Sequence, residues 1–286
     1  MPDEDHEGAK LGSFRTEDDW TPPQIDTSVP HSARMYDYFL GGKDNFAVDR
    51  AAGDRVIQLL PTVKATVRAN RRFLGRAVRF AAQQGIRQFL DIGTGIPTVH
   101  NTHQAAQAVN PDAHVVYVDN DPIVLVHARA LLRGTTQGRT AYVEADFRDP
   151  QTILDSPQAK ELLDFTQPIA LMVVSLLHFF PDSERPDEIL DGLKAVLPPG
   201  SALILSHATA DFTPPEVAEA VIKTYTSSGM NLTSRDHAEV LRFFDGLELV
   251  SPGLVPVHEW NPEDEADLTL SRAENAGYGG VAIKRG

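Results

Sequence analysis

From Gly85 onward, short apolar runs alternate with helical patterns, and this rhythm constrains the chain more than anything else in it. The runs are I-R-Q-F-L-D (86–91), H-V-V-Y-V-D (114–119), T-A-Y-V-E-A-D (140–146), P-I-A-L-M-V-V-S-L-L-H (168–178) and S-A-L-I-L-S-H (201–207). Helix candidates lie between them near 98–109, 122–133, 150–164 and 187–196. A run that is apolar throughout leaves no wet face, and strands joined by helices run parallel, so the pattern demands a parallel sheet covered on both sides. Late strands at L-E-L-V (247–250), extended through Val257, and at G-V-A-I-K (280–284) bring the count to seven. The fold class is α/β: a Rossmann-like, seven-stranded, mostly parallel sheet with helices on both faces.

Three regions follow. Residues 1–22 are acidic, contain Gly and Pro and lack periodicity, as a loosely ordered tail does. Residues 23–85 form an amino-terminal helical extension. Its first helix starts at a Ser32 cap and stops at Gly41-Gly42; its second runs from Asp44 or Asn45 to Leu60; its third, Thr62 to Gln84, carries R-A-N-R-R-F-L-G-R-A-V-R. Residues 86–286 form the sheet domain. Further helices are expected at 214–228 and 234–244, capped by Thr213 and by Thr233 or Ser234. The acidic N-P-E-D-E-A-D (261–267) reads as a solvated loop.

Composition excludes several classes. The net charge of -14, from 26 Lys+Arg against 40 Asp+Glu, argues against a sequence-independent grip on nucleic acid. Without cysteine there are neither disulfides nor thiolate metal sites. The amino terminus lacks the basic and apolar segments of a leader, and the longest apolar run, Ile169–Phe180, is too short to span a bilayer. A soluble cytoplasmic protein is expected.

In such sheets ligands sit beyond the carboxyl ends of the strands. Polar side chains stand at all of these ends: Asp91, Asp119 with Asn120, Asp146, Ser175 with His178, and His207. An acid at Asp119, closing the second strand, suits the two hydroxyls of a ribose, in an NAD enzyme as in any adenosyl-binding one. The first turn separates these readings. A dinucleotide requires G-x-G-x-x-G with free backbone N–H groups, whereas the run from Gly93 is G-T-G-I-P-T, and Pro97 has no N–H. Pro97 suits an early helical position, where that loss costs little. Asp91 just before the glycines would repel a pyrophosphate and attract an amine. S-adenosyl-L-methionine, with an adenosine, no phosphate and an ammonium, fits, with Asp91, the turn Gly93-Thr94-Gly95, Asp119, Asn120 and Ser175 as candidate cofactor residues.

The order acid, G-x-G, strand-end acid and a third acid in A-D-F (145–147) resembles the class I methyltransferases. The resemblance implies that Asp91 lies near the methionyl amine, Asp119 at the ribose hydroxyls and Asp146 at the adenine amino group, with Phe147 flanking the ring. Longer segments carry it further: S-A-R-M-Y-D-Y-F-L-G-G-K-D-N-F (32–46), R-A-N-R-R-F-L (68–74), V-V-Y-V-D-N-D-P-I-V-L (115–125) and L-S-H-A-T-A-D (205–211). These are similar to an actinobacterial family of S-adenosyl methyltransferases, largely without assigned substrates, from about residue 25 to the end. The implied activity is methyl transfer. The acceptor is not implied.

Other motifs weigh less. G-G-K-D (41–44) fails as a phosphate loop because Asp44 replaces the magnesium-binding hydroxyl. H-N-T-H (100–103) lacks a third metal ligand, so no metal is expected. The cluster Arg68, Arg71, Arg72, Arg76 and Arg79 suits either a phosphate or carboxylate contact or a hydrated helix face. His178 and His207 are the candidate general bases, with a structural, hydrogen-bonded histidine the slightly preferred alternative for each. The stretch S-L-L-H-F-F-P-D (175–182) does not resemble the N-P-P-Y signature of amino-methylating enzymes, which leans toward a small-molecule acceptor. Tyr36, Tyr38, Phe39, Lys43, Asp44 and Asn45 are candidates for a lid over the cofactor, against a plain helical extension with a glycine cap. A non-catalytic protein binding S-adenosylmethionine or S-adenosylhomocysteine is the alternative function. Oligomeric state is not legible.

Overall fold

The computed structural model describes residues 25–98, 101–131 and 138–286. The expected tail at 1–22 lies outside them. Three helices come first: α1 (Ser32–Leu40), α2 (Ala47–Leu59) and α3 (Val63–Gln83). The cap of α1 is His31, not Ser32, and Gly41 closes it in the left-handed region at φ 89°. The α/β part then alternates β1 (Gln88–Ile92), α4 (Thr102–Gln107), β2 (His114–Asp119), α5 (Pro122–Leu131), β3 (Thr140–Glu144), α6 (Pro150–Asp155), α7 (Pro157–Leu162), β4 (Ile169–Val174), α8 (Pro186–Ala195) and β5 (Ala202–Ala208). It ends with α9 (Pro215–Ser227), α10 (His237–Leu241), β6 (Glu248–Leu249), β7 (Val255–Pro256), α11 (Glu265–Leu268) and β8 (Gly277–Ile283).

The sheet order is β3-β2-β1-β4-β5-β8-β6, with β7 also paired to β8. Pairing is parallel from β3 to β5, and β8 runs antiparallel to β5, β6 and β7. Eight strands replace the expected seven because the run from 247 to 257 touches β8 twice, with a turn through Gly253 between the two contacts. The order reverses beside β1, between β1 and β4. That crevice is where a doubly wound sheet binds its ligand.

Both sheet faces are dry, as the apolar runs require. Leu90, Val116, Leu171 and Leu203 face one side with Ile153, Leu162 and Leu190, while Phe89, Val115, Met172 and Ile204 face the other with Phe73, Ala77 and Trp260. A third cluster joins Met35, Phe39, Val56 and Val67 of the first three helices to Val221 and Tyr225 of α9. Among the described residues no helix is long and apolar enough to cross a membrane.

Three local expectations change. The helix foreseen at 150–164 breaks at Ser156 (ψ 141°) because Pro157 disfavours helical backbone before it, and the Ser156 side chain caps α7 by accepting from the Ala159 N–H. The caps foreseen at Thr213 and at Thr233 or Ser234 are instead Pro214 and Asp236. The acidic loop 261–267 is partly helical, and Asp267 is 1% exposed. Its carboxylate takes Arg76 and, at 2.8 Å, the Arg72 Nε, while Arg76 also donates to the carbonyls of Trp260 and Val257, each at 2.8 Å. A buried charge needs this degree of pairing. So part of the arginine cluster is a core tie and not a hydrated face.

Candidate active site

Two cavities meet above the carboxyl ends of β1, β4 and β5. The first is lined by Asp91, the turn Gly93-Thr94-Gly95, Asp119, Asn120, Asp146, Phe147 and Ser175, with α1 forming its roof through His31, Ser32, Ala33 and Tyr36. Every cofactor candidate read from the sequence therefore lines one space. Tyr36 is the one lid candidate there; Tyr38, Lys43, Asp44 and Asn45 line neither cavity. Tyr38 instead donates to Asp54 at 2.6 Å, and Asn45 holds Asp37 and Gly42 in the turn after α1.

The glycine turn is committed to its own support. The N–H groups of Gly93 and Thr94 both point to the Val118 carbonyl, at 2.8 and 3.2 Å, and the Gly95 N–H donates to Asp119 Oδ2 at 2.7 Å. Gly93 sits at φ 74° with Leu176 pressed where a Cβ would stand, so only glycine fits. The helix does not start at Pro97, as the sequence suggested. It starts at Thr102, five residues later, and Asn101 and Gln104 close its capping box. No amide of Gly93, Thr94 or Gly95 is left for a pyrophosphate, and Pro97 has none. This turn is a scaffold for Asp119.

The acids are differently situated. Asp91 is 4% exposed and accepts from the Thr102 hydroxyl at 2.6 Å on Oδ2. Its Oδ1 has no hydrogen-bond partner among the described residues, and burial lifts its pKa to about 6. A buried carboxylate half bonded in this way is a receptor for a cation. Asp119 is also raised by burial, an effect opposed by the N–H groups of Asp121 and Gly95. Each of its oxygens takes one backbone donor, so each retains a lone pair for a hydroxyl. Asp146 accepts from Asn120 at 2.8 Å and from Arg148 at 2.9 Å, at the exposed rim. Arg71 lines the cavity on the side of Asp91 and favours its ionised form. An amine, a ribose and no phosphate is the ligand description these groups fit, and S-adenosylmethionine satisfies it.

The second cavity, about 140 Å³, lies under α9 and the 3-10 turn Leu177–Phe179. Apolar side chains including Phe39, Val56, Val63, Val221, Ile222 and Tyr225 line most of it. A polar wall separates it from the first cavity. Asn70 Nδ2 donates to Tyr36 Oη and Ser175 Oγ, both at 2.9 Å, and Asn70 Oδ1 accepts from Ser206 Oγ at 2.7 Å. Ser175 holds φ 55°, a left-handed conformation that a non-glycine residue keeps only where its surroundings enforce it. Tyr36, Asn70 and Ser175 line both cavities. Asn70 and Ser206 were not singled out from the sequence; an asparagine inside a long helix was the available signal, since its amide normally favours caps and turns.

Both candidate histidines line the second cavity. His207 Nδ1 lies 2.6 Å from the Ala208 carbonyl and Nε2 lies 2.9 Å from Arg235 Nη1. A carbonyl demands an N–H and a guanidinium demands a lone pair, so both ring nitrogens are spent. Burial, with Arg235 adding to it, holds the pKa down at about 3. His178 Nδ1 accepts the Ala208 N–H at 3.3 Å, which places its proton on Nε2, and burial keeps the ring neutral. Neither ring offers the cavity a lone pair. His103, from the H-N-T-H motif, bonds Tyr117, and His100 lies outside the described residues. Among the described residues no group of acids and histidines could hold a metal ion.

The doubly wound sheet, with Asp91, Asp119 and Asp146 gathered at a cavity whose glycine-turn amides are spent, belongs to an S-adenosylmethionine-dependent methyltransferase. The family model described as S-adenosyl methyltransferase matches residues 18–285, and the chain belongs to that family. A solved DUF574 family protein from Streptomyces avermitilis MA-4680 is 48% identical, covering 91% of this chain and 100% of its own, with a TM-score of 0.89. A candidate methyltransferase from Thermobifida fusca YX is 41% identical over 93% of this chain and 99% of its own, with a TM-score of 0.84. No curated protein matches the chain.

Proposed function

We propose that the first cavity is the S-adenosylmethionine site and the second takes a small-molecule methyl acceptor, with Tyr36, Asn70 and Ser175 at the passage between them. One observation carries this reading: buried Asp91 has, among the described residues, a single hydrogen bond, from Thr102 on Oδ2, in a cavity whose glycine-turn amides are already spent. In this assignment Asp91 takes the ammonium, Arg71 the carboxylate, Asp119 the ribose hydroxyls, and Asp146 with Phe147 the adenine. When bound, S-adenosylmethionine supplies an electrophilic methyl group on a sulfonium.

The chain's own task is then alignment and exclusion of water. The amino-terminal extension serves as the cover: α1 roofs the first cavity, and its seat is electrostatic. Arg34 lies 3.7 Å from Asp49 and 3.5 Å from Asp121, while His31 Nδ1 lies 3.0 Å from Asp121 Oδ2. Asp121 follows Asp119 by two residues, so closure of the cover and placement of the ribose acid share one loop. Calorimetric titration of the full chain with S-adenosylmethionine, S-adenosylhomocysteine and NAD tests the site: the first two bind and NAD does not. Binding of NAD alone sinks the assignment.

A further inference from the structure

The lining of the second cavity contains no Asp, Glu, Lys or Arg among the described residues. Arg235, bonded to the cavity-lining His207, is committed to other partners: it also donates to the Leu177 and Phe180 carbonyls and to Asp182 at 2.6 Å. An ionic acceptor entering here would lose its hydration without gaining a counter-charge, a large cost. Aromatic rings supply much of the wall, with Phe179 and Tyr225 6.2 Å apart and the His178 ring 4.3 Å from Phe179, tilted at 54°. At roughly ten to fifteen Å³ of such space per water, the cavity holds about ten waters, or a ligand of about ten to fifteen non-hydrogen atoms.

One polar atom stands out in this wall. His178 is 6% exposed, its Nδ1 is spent on the Ala208 N–H, and its Nε2–H has no hydrogen-bond partner among the described residues. His178 lines the cavity, so a ligand that accepts from this N–H gains a directed hydrogen bond that the apolar walls cannot offer. Resting on the assignment of this cavity to the methyl acceptor, we propose that the acceptor is an uncharged, ring-containing, mostly apolar molecule, anchored by an oxygen or ring-nitrogen lone pair on His178 Nε2–H. His178 is then a binding donor and not a base.

Four naphthalenes of one size test this: 2-acetylnaphthalene, 2-naphthoate, 2-(aminomethyl)naphthalene and 2-ethylnaphthalene, each titrated by ligand-observed NMR into the full chain saturated with S-adenosylhomocysteine. The acetyl compound binds most tightly; both ions bind at least about tenfold more weakly, and the ethyl compound, lacking the acceptor oxygen, about tenfold more weakly. His178→Phe brings the acetyl compound down to the ethyl level and leaves the ethyl compound unchanged, whereas His178→Gln, which keeps an N–H, retains part of the difference. Tighter binding of either ion, no binding of the acetyl compound, or an equal loss for both neutral compounds in His178→Phe overturns the proposal. If His178→Phe no longer binds S-adenosylhomocysteine, the four-way ranking in the unaltered chain decides alone. Absence of S-adenosylhomocysteine binding in the unaltered chain condemns the cofactor assignment instead, so the two failures are told apart.

Discussion

On one side of the Tyr36–Asn70–Ser175 wall a cavity is lined by Asp37, Asp91, Asp119, Asp146 and Arg71; on the other side a cavity is lined, among the described residues, by no Asp, Glu, Lys or Arg. The two share a sheet and a helix, so burial alone does not separate them. The difference is where desolvated charge has been tolerated. A carboxylate kept half bonded in a dry site destabilises the fold until a cation arrives, and a neutral cavity carries no such cost. The first cavity is therefore built at the expense of stability and the second is not.

Asp91→Asn tests that contrast most severely. Burial raises the Asp91 pKa from the usual carboxylate range to about 6, so the native state binds this proton better than the unfolded chain. The associated stability is fully present below the unfolded pKa of about 4 and is lost as pH rises through about 6. Removing the charge should therefore stabilise the ligand-free chain at pH 8 by about 1–3 kcal/mol in urea unfolding, while weakening S-adenosylmethionine binding about a hundredfold by calorimetry. In the unaltered chain, affinity should fall by about tenfold per pH unit below about 6, as the acid protonates. A destabilised variant with normal affinity would break the comparison.

Asp119→Ala, which leaves Asp91 in place, should weaken the cofactor by about tenfold or more; unchanged affinity would remove the ribose role. Asn70→Ala strikes the shared wall. Losing the bonds to Tyr36, Ser175 and Ser206 should cost about 1–3 kcal/mol of unfolding free energy and loosen both cavities. If only one cavity's ligand is affected, the wall is not shared in function. The smallest effect is expected at His31, whose side chain is one-third exposed. His31→Ala should cost under about 1 kcal/mol and shift cofactor affinity a few fold, seen as a modest rise in Kd.

Much of the first cavity was legible because local pattern specifies it. A strand that is apolar along its length must be buried, its first polar residue marks its end, and the sheet topology brings those ends together. Asp91, Asp119, Asp146 and Ser175 were found this way. The extent of regular structure was less legible: Pro157 split one helix, and the late strand run became two short pairings with β8. The second cavity was hardly legible. Its walls come from α1, α2, α3, α9 and the segment after β4, which no periodicity links.

His207 and Asp267 show the reason most plainly. The sequence offered His207 as a base or a structural histidine, and Arg235, 28 residues away, spends its lone pair. Asp267 belonged to an acidic run with every mark of a solvated loop, and Arg76, 191 residues away, draws it into the core. By itself the sequence determined the doubly wound sheet, the acids at its strand ends and a turn unsuited to phosphate, because those follow from burial periodicity and from the conformational rules of glycine and proline. Only the tertiary structure decided which charges are paired, which nitrogen of His178 carries its proton and which cavity is neutral. Those depend on hydrogen bonds between distant segments, which local pattern does not encode.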